Sequence, residues 1–145
     1  MKIFLVLIAV LFVFAQAKLE WSVCPESRDA QTLKIRSLKA TPTPPRVGAK
    51  IKVELAGTLT SPIVSGIGAV VVNFEGFELY KNDNIDICNF GGALKCPVSI
   101  GELVSAYENE IPSVAPVGEY DGKIQLKDQA GKIIACINFK TDIEA

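Results

Sequence analysis

The segment that decides the fold is Tyr120-Asp121-Gly122-Lys123-Ile124-Gln125-Leu126-Lys127, continued by Asp128-Gln129-Ala130-Gly131 and by Lys132-Ile133-Ile134-Ala135-Cys136-Ile137-Asn138-Phe139-Lys140. Apolar and polar side chains alternate in the first and third parts, which is the period of a half-buried β-strand. The four residues between them form turns readily, so the segment predicts an antiparallel hairpin. In its second strand we expect one face to carry Ile133, Ala135, Ile137 and Phe139, and the other Ile134, Cys136, Asn138 and Lys140.

Shorter segments upstream carry the same strand signal. Residues 50–55 alternate between apolar and charged side chains, and residues 67–74 form a near-continuous apolar run that Glu75-Gly76 interrupts. In residues 103–111 the odd-numbered side chains share one face. Further strands are predicted in residues 32–38, 58–60 and 77–79. About seven short strands with turns between them and few helix signals predict an all-β fold, a two-sheet β-sandwich.

The chain begins with the features of a secretory signal. Lys2 is followed by an unbroken apolar run over residues 3–15, and Ala15-Gln16-Ala17 provides the small-x-small ending of a cleavage site. A membrane-spanning helix needs about 20 apolar residues, so this run is too short to cross a bilayer with ease. We therefore expect residues 1–17 to be a signal peptide and residues 18–145 to form one domain without a linker or repeat.

Charge and composition exclude several function classes. The chain has 15 basic residues, 16 acidic residues and no histidine. Without Lys2 the formal charge is −2, which gives no argument for a polyanion partner such as nucleic acid. The absence of histidine excludes Ser/His/Asp and Cys/His catalysis, so we expect no enzyme, cofactor or metal site. The densest basic region alternates with apolar residues, as the solvent face of strands does, and comprises Lys34, Arg36, Lys39, Arg46, Lys50 and Lys52.

The four cysteines predict two disulfides. A chain that enters the oxidising secretory route normally oxidises its cysteines, and no Cys-x-x-Cys pair is present to suggest zinc. Four cysteines allow three pairings. Cys88 and Cys96 flank a turn-forming segment, whereas Cys24 and Cys136 lie near the two ends of the predicted domain. The spacing therefore favours Cys88 with Cys96 and Cys24 with Cys136.

The apolar residues leave two interpretations open. The seven Phe and Tyr residues of the predicted domain lie among many Val, Ile and Leu side chains, and such a set normally fills a core. A sandwich can instead hold its two sheets apart and bind an apolar ligand between them. Composition does not distinguish these two possibilities.

An ordered set of short motifs resembles the ML (MD-2-related lipid-recognition) family. Within that family the chain is most similar to the phosphatidylglycerol/phosphatidylinositol transfer proteins, with the Niemann-Pick type C2 sterol carriers as close relatives. The motifs extend over nearly the whole predicted domain and are Pro44-Pro45-Arg46-Val47-Gly48, Ala56-Gly57-Thr58-Leu59, Ile63 to Gly66, Ala69-Val70-Val71-Val72, Asp86-Ile87-Cys88, Cys96-Pro97-Val98 with Gly101-Glu102, Ile111-Pro112, Pro116-Val117-Gly118-Glu119-Tyr120, and Cys136.

The resemblance implies an immunoglobulin-like two-sheet β-sandwich with an apolar cavity between the sheets, where a lipid is held without chemical change. It also implies the same two disulfides. Sterol carriers of the family usually have a third, early cysteine pair, whereas residues 39–46 contain no cysteine. This difference favours the phospholipid-transfer subgroup.

The cavity residues predicted from the inward faces of the strands are Val53, Leu55, Val70, Val72, Phe74, Phe77, Leu79, Tyr107, Ile111, Ile124, Leu126, Ile133, Ile137 and Phe139. Each of them is also compatible with plain core. We expect at most about half of them to touch a ligand, because apolar burial is the general case.

The expected partners are a phospholipid, or a sterol as the alternative, and a membrane contacted transiently by a monomer. The candidate docking loops are residues 62–63, 90–92 and 114–117, with ordinary turns as the alternative for each. We expect a location in the secretory pathway, either secreted or in an endosomal or lysosomal lumen. A lipid-sensing accessory protein for a receptor and an enzyme with paired carboxylates are the competing function classes. Any dependence on acidic pH would have to come from carboxylates such as Glu108 and Glu110 or Asp83 and Asp86, which we expect on the solvated surface.

Overall fold

The computed structural model describes residues 19–90 and 92–145. The predicted signal peptide, residues 1–17, lies outside these residues. One short 3-10 helix, Pro25–Ser27, follows the first strand. The strands are β1 (Glu20–Val23), β2 (Leu33–Thr41), β3 (Lys50–Leu59), β4 (Gly66–Phe74), β5 (Phe77–Asp86), β6 (Gly101–Glu110), β7 (Gly118–Asp128) and β8 (Ile133–Ile143).

The strands form two antiparallel sheets. One sheet has the order β1-β8-β7-β4-β5, and the other has the order β2-β3-β6. The predicted all-β, immunoglobulin-like two-sheet sandwich is confirmed, with eight strands in the described residues rather than about seven. The strand that the sequence pattern missed is β1, which pairs with β8 from Glu20 opposite Lys140 to Val23 opposite Ile137. Four residues are too few for a clear alternation, so only this long-range pairing defines the strand.

The strand register confirms the alternation predicted for β3 and β6. Val53 lies opposite Tyr107, and Lys52 lies opposite Glu108. Since neighbouring side chains of a strand point to opposite faces, Val53 and Tyr107 share the inner face and the charged pair faces solvent. The predicted turn after β7 is also present, because the Gly131 N–H donates to the Asp128 carbonyl at 3.0 Å.

Two bulges overturn local details of the predicted pattern. The β7–β8 register shifts between Leu126 and Lys127, so that Lys127 pairs with Ile133. Ile134, predicted on the face opposite Ala135, instead joins it in the core and is 1% exposed. A second shift leaves Leu79 of β5 without a partner across the ladder to β4. The strict alternation predicted at these two places is therefore wrong, because an extra residue in one strand resets the period.

A cluster of buried apolar residues lies at one end of the sandwich. It brings together the first residue of β2, the last residue of β3, the start of β8 and the loops beside them. Because these strand ends belong to both sheets, the core seals this half of the interior; we call it the sealed half. Its buried cluster consists of Leu33, Leu59, Ile63, Ile87, Ile134 and Ala135.

Both disulfides have the predicted pairing. Cys24 is bonded to Cys136 across 112 residues, and Cys88 is bonded to Cys96 across eight. Cys24 and Cys136 are both 0% exposed. A hydrogen bond from the Cys136 N–H to the side-chain oxygen of buried Gln31, at 3.0 Å, supports the same region. The long bridge therefore joins the segment after β1 to its neighbour β8 beside the sealed half.

Candidate functional site

The burial of inward-facing residues decreases along the sandwich. In β3, Leu59 is 0% exposed, whereas Leu55 and Val53 on the same face are only half-buried. In β4, Gly68 is buried, whereas Val70 and Val72 on the same face are half-buried. The exposure of these residues of β3 and β4 thus increases in the same direction, although Tyr120, opposite Phe74 at the end of β4, is 5% exposed. We call the region beyond Leu55 and Val70, as far as the start of β3 and the end of β4, the open half.

The edge strand β5 shows where the open half meets solvent. Phe77 lies opposite Phe74 and Tyr80 lies opposite Val72, which places both aromatic side chains at inner-face positions. Nevertheless Phe77 is 78% exposed and Tyr80 is 52% exposed. Further along the strand, exposure falls to the half-buried Ile85. An inner face that is this accessible indicates an opening beside the first half of β5.

The edge strand of the other sheet borders the same opening. Phe90, four residues beyond β5, stacks on Tyr107 of β6 with ring centroids 4.8 Å apart and planes 19° apart. This contact places β5 and β6 on the same side of the sandwich. We call the accessible inner-face residues Phe77 and Tyr80 of β5, together with Tyr107 of β6, the mouth.

Most predicted cavity residues occupy inner-face positions, but they divide between the two halves. Leu55 and Leu126 pack against the buried cluster, and Ile137 is 5% exposed, so these three belong to the core. Leu79 lies in a bulge and Ile133 pairs with Lys127, so neither has the inner register position assigned to it. Ile111 follows β6 and is half-buried. The residues at inner positions of the open half or its edge strand are Val53, Val70, Val72, Phe74, Phe77, Tyr107, Ile124 and Phe139.

The sequence pattern missed two residues of the mouth. Tyr80 takes the inner position predicted for Leu79, because the bulge moves the register by one residue. Phe90 reaches the mouth by stacking on Tyr107, a contact between distant parts of the chain. No local pattern marks either role. Only the aromatic identity of the two residues could have drawn attention to them.

The candidate docking loops differ in exposure. Ile63 is 0% exposed, and its backbone exchanges two hydrogen bonds with Val98, so the prediction of an apolar tip at residues 62–63 is wrong. In the loop of residues 114–117, Val114 is 88% exposed and Val117 is 54% exposed. Of residues 90–92, Phe90 stacks on Tyr107, and residue 91 lies outside the described part of the chain.

The carboxylates of β6 lie on the outer face of the smaller sheet. Glu108 and Glu110 lie opposite Lys52 and Lys50 on the solvent side of the smaller sheet. On the same side, a hydrogen bond and ion pair with Arg36 hold the pKa of the Glu102 carboxyl below its usual 4.5. Within the described part of the chain, β6 therefore directs no carboxylate into the apolar interior. The geometry therefore favours binding of an apolar ligand over general acid–base chemistry.

A separate groove of about 520 Å³ crosses the outer face of the five-stranded sheet. Its floor includes Asn73, Asp121, Lys123 and Asn138, which lie opposite one another across β4, β7 and β8. An apolar chain laid there would remove water from charged groups without pairing them, which costs free energy. This groove is therefore a poor site for a lipid chain despite its volume.

Two further observations concern metals and membranes. Cys24, Glu26 and Cys136 place three possible ligand atoms close together, but the disulfide has consumed both thiols. Among the described residues, no helix has the length and apolar character needed to span a bilayer.

Comparison with known proteins adds the family. A sequence model of the ML domain matches residues 18–143. The chain belongs to the ML domain family. A Dictyostelium discoideum protein, named provisionally as a phosphatidylglycerol/phosphatidylinositol transfer protein, is 32% identical over 124 residues, which are 83% of each chain. The resemblance inferred from the ordered motifs is thus confirmed.

Solved structures support the fold of this ML domain. A Niemann-Pick type C2 protein from the Japanese carpenter ant has a TM-score of 0.68 at 12% identity, covering 86% of this chain and 98% of that one. Chicken MD-1, solved in complex with lipid IVa, has a TM-score of 0.65 at 13% identity, covering 88% and 90%. At these identities the similarity establishes the shared sandwich alone.

Proposed function

We propose that this ML domain is a non-enzymatic carrier that shelters the acyl chains of a phospholipid in its open half and transfers the lipid between membranes. The observation that carries the proposal is the contrast between the sealed half, where Leu59 of β3 is 0% exposed, and the inner face of the edge strand β5, where Phe77 is 78% exposed. A sandwich stabilised only by its core would cover both halves. Here one half is sealed, and the other keeps apolar and aromatic side chains accessible through the mouth.

The energetics explain why a carrier needs such a space. A two-chain phospholipid has on the order of 30 methylenes, and burying each contributes about 0.8 kcal/mol. Exposing both chains to water therefore costs roughly 24 kcal/mol, which a carrier must avoid by covering them. The half-buried residues Val53, Val72 and Phe139 offer apolar surface for that purpose. The name of the Dictyostelium relative supports a glycerophospholipid as the class of ligand.

The membrane contact proposed for transfer lies at the open half. Val114 and Val117 are exposed, and the loop that contains them leads into β7. The Glu119 N–H donates to the Glu75 side chain at 3.1 Å, which places the start of β7 beside the hairpin before Phe77. The exposed valines and Phe77 therefore project from neighbouring segments next to the mouth. A lipid leaving the mouth there would pass directly into a bilayer.

The proposed location is the lumen of the secretory pathway, with a monomeric domain that begins near residue 18. Two disulfides and the apolar leader support this location, because oxidised cysteine pairs persist in such compartments. Nothing in the carrier mechanism requires a second copy of the chain.

The test is transfer of fluorescent phosphatidylglycerol between two populations of vesicles. The carrier predicts transfer that is faster than spontaneous exchange and proportional to protein concentration, with intact lipid recovered at the end. Transfer no faster than in buffer, measured with folded protein that has been loaded with lipid, would refute the proposal. Recovery of cleaved lipid would instead support an enzyme.

A further inference from the structure

A polar pair lies on the inner face of β5 in surroundings that are otherwise apolar or aromatic. Tyr80 is opposite Val72, and Asn82 is opposite Val70. Being two residues apart in a strand, Tyr80 and Asn82 point to the same face. Tyr80 is 52% exposed and Asn82 is half-buried, so the pair stands at the mouth rather than in the core.

Hydrogen bonds fix the orientation of this pair. The Asn84 N–H donates to Asn82 Oδ1 at 3.0 Å, which settles which end of the Asn82 amide accepts. The amide nitrogen Nδ2 of Asn82 then donates to the Tyr80 hydroxyl oxygen at 3.3 Å. A phenol that accepts a hydrogen bond still has its own proton to donate. Within residues 19–90 and 92–145 that proton has no acceptor, so Tyr80 presents an oriented O–H donor at the mouth.

We propose that the Tyr80 hydroxyl, positioned by Asn82, donates a hydrogen bond to an oxygen of the lipid's linkage region, either a phosphodiester or an ester oxygen. The inference rests on the carrier function proposed above. Acyl chains that run into the open half along Val72 and Phe74 bring the linkage region to the level of the mouth, since it is the first polar part after the chains. A donor facing an anionic phosphodiester forms a stronger hydrogen bond than one facing a neutral group.

The nearest cation on this strand cannot take the same role. Lys81 lies opposite Val71, on the outer face of the sheet. Its ammonium group is 3.7 Å from the Asp83 carboxylate. The cation of β5 is therefore directed away from the mouth, and the donor that this strand presents there is uncharged.

The direct test is Tyr80→Phe, which removes the hydroxyl and keeps the ring that borders the mouth. Affinity is measured for three ligands that carry the same fluorescent label on their hydrocarbon chain: a phosphatidylglycerol, a diacylglycerol and an alkane. We expect roughly tenfold weaker binding of phosphatidylglycerol, which is about 1.4 kcal/mol, and unchanged binding of the alkane. A loss for phosphatidylglycerol alone supports a phosphodiester contact, and a parallel loss for diacylglycerol supports an ester contact. Equal affinities of Tyr80→Phe and wild type for both oxygen-bearing lipids would overturn the inference.

Lys81→Gln is the matched control, because it removes a charge from the same strand on the opposite face. It should bind all three ligands as the wild type does. Weaker phosphatidylglycerol binding by Lys81→Gln, with Tyr80→Phe unaffected, would transfer the role to the cation and reject the proposal. Competition by millimolar inorganic phosphate would assign the hydroxyl to a free anion and also reject it. If wild-type protein binds no lipid at all, the carrier function fails; if it binds and Tyr80→Phe binds equally, only this inference fails.

Discussion

Replacing isoleucine by alanine at Ile134 and, separately, at Ile124 tests whether the sealed half holds the fold and the open half holds the ligand. Each change removes three carbon groups, worth about 2.4 kcal/mol when fully buried at about 0.8 kcal/mol each. Ile134 is 1% exposed within the buried cluster, so a residual cavity should raise the loss of unfolding free energy to about 3 to 4 kcal/mol. Ile124 is only half-buried beside Val70, so we expect a loss of about 1 kcal/mol without lipid.

The two variants should differ again when lipid is added. A ligand that binds only the folded state raises its stability in proportion to the logarithm of ligand concentration over Kd. Urea unfolding with and without phosphatidylglycerol therefore measures lipid binding and fold stability in one experiment. Ile134→Ala should keep the stabilisation by lipid, whereas Ile124→Ala should lose about 1 kcal/mol of it with its chain contacts. If Ile124→Ala is as unstable as Ile134→Ala without lipid and binds lipid like the wild type, the interior is one continuous core and the reasoning is wrong.

Replacing Cys24 and Cys136 by alanine should lower the unfolding free energy by about 4.8 kcal/mol, about twice the loss of the eight-residue bridge, as measured by urea titration of both double variants. Gly122→Ala should lower the unfolding free energy by about 3 kcal/mol, because its new methyl group would overlap the Val71 carbonyl oxygen. The loss should be seen as a lower thermal midpoint. The ion-paired Glu102 has a lowered pKa, so its contribution is present above pH 4.5 and is lost as pH falls through the folded-state value. With no histidine in the chain, the thermal midpoint should therefore be the same at pH 5 and pH 7, and a large difference would contradict this account.

Much of the sandwich could be predicted from local alternation. The inner and outer faces of β3 follow from the apolar–charged period around Val53, and the β7–β8 hairpin follows from its turn residues. What failed depended on how one strand pairs with another, which the pattern of a single strand does not show. β1 is defined by pairing with β8, and the bulge that places Ile134 in the core is visible only when β7 is laid beside β8.

The candidate site was harder to predict than the fold, because an inward position does not reveal whether the facing sheet covers it. Leu55 and Val53 have the same local pattern, but Leu55 packs against the buried cluster and Val53 lies in the open half. The mouth likewise depends on the edge strand β5, whose register shifts twice. One of these shifts places Tyr80, instead of the predicted Leu79, at the inner position. Sequence periodicity predicts which side chains of a strand point inward, whereas the distance from the sealed half determines whether an inward side chain is part of the core or remains accessible.

The unequal anchoring of the two sides of the larger sheet has a mechanical consequence. On one side β1 is followed directly by the Cys24–Cys136 bond to β8, and on the other two bulges interrupt the ladder between β5 and β4. An interrupted ladder yields at lower cost than a cross-linked one. A bulkier cargo would therefore be accommodated by outward movement of β5, while β1 and β8 keep their positions. Under the proposed carrier function, this one-sided movement would let the protein accept lipids of different chain length, and we expect hydrogen exchange to be fastest in β5 of the empty protein.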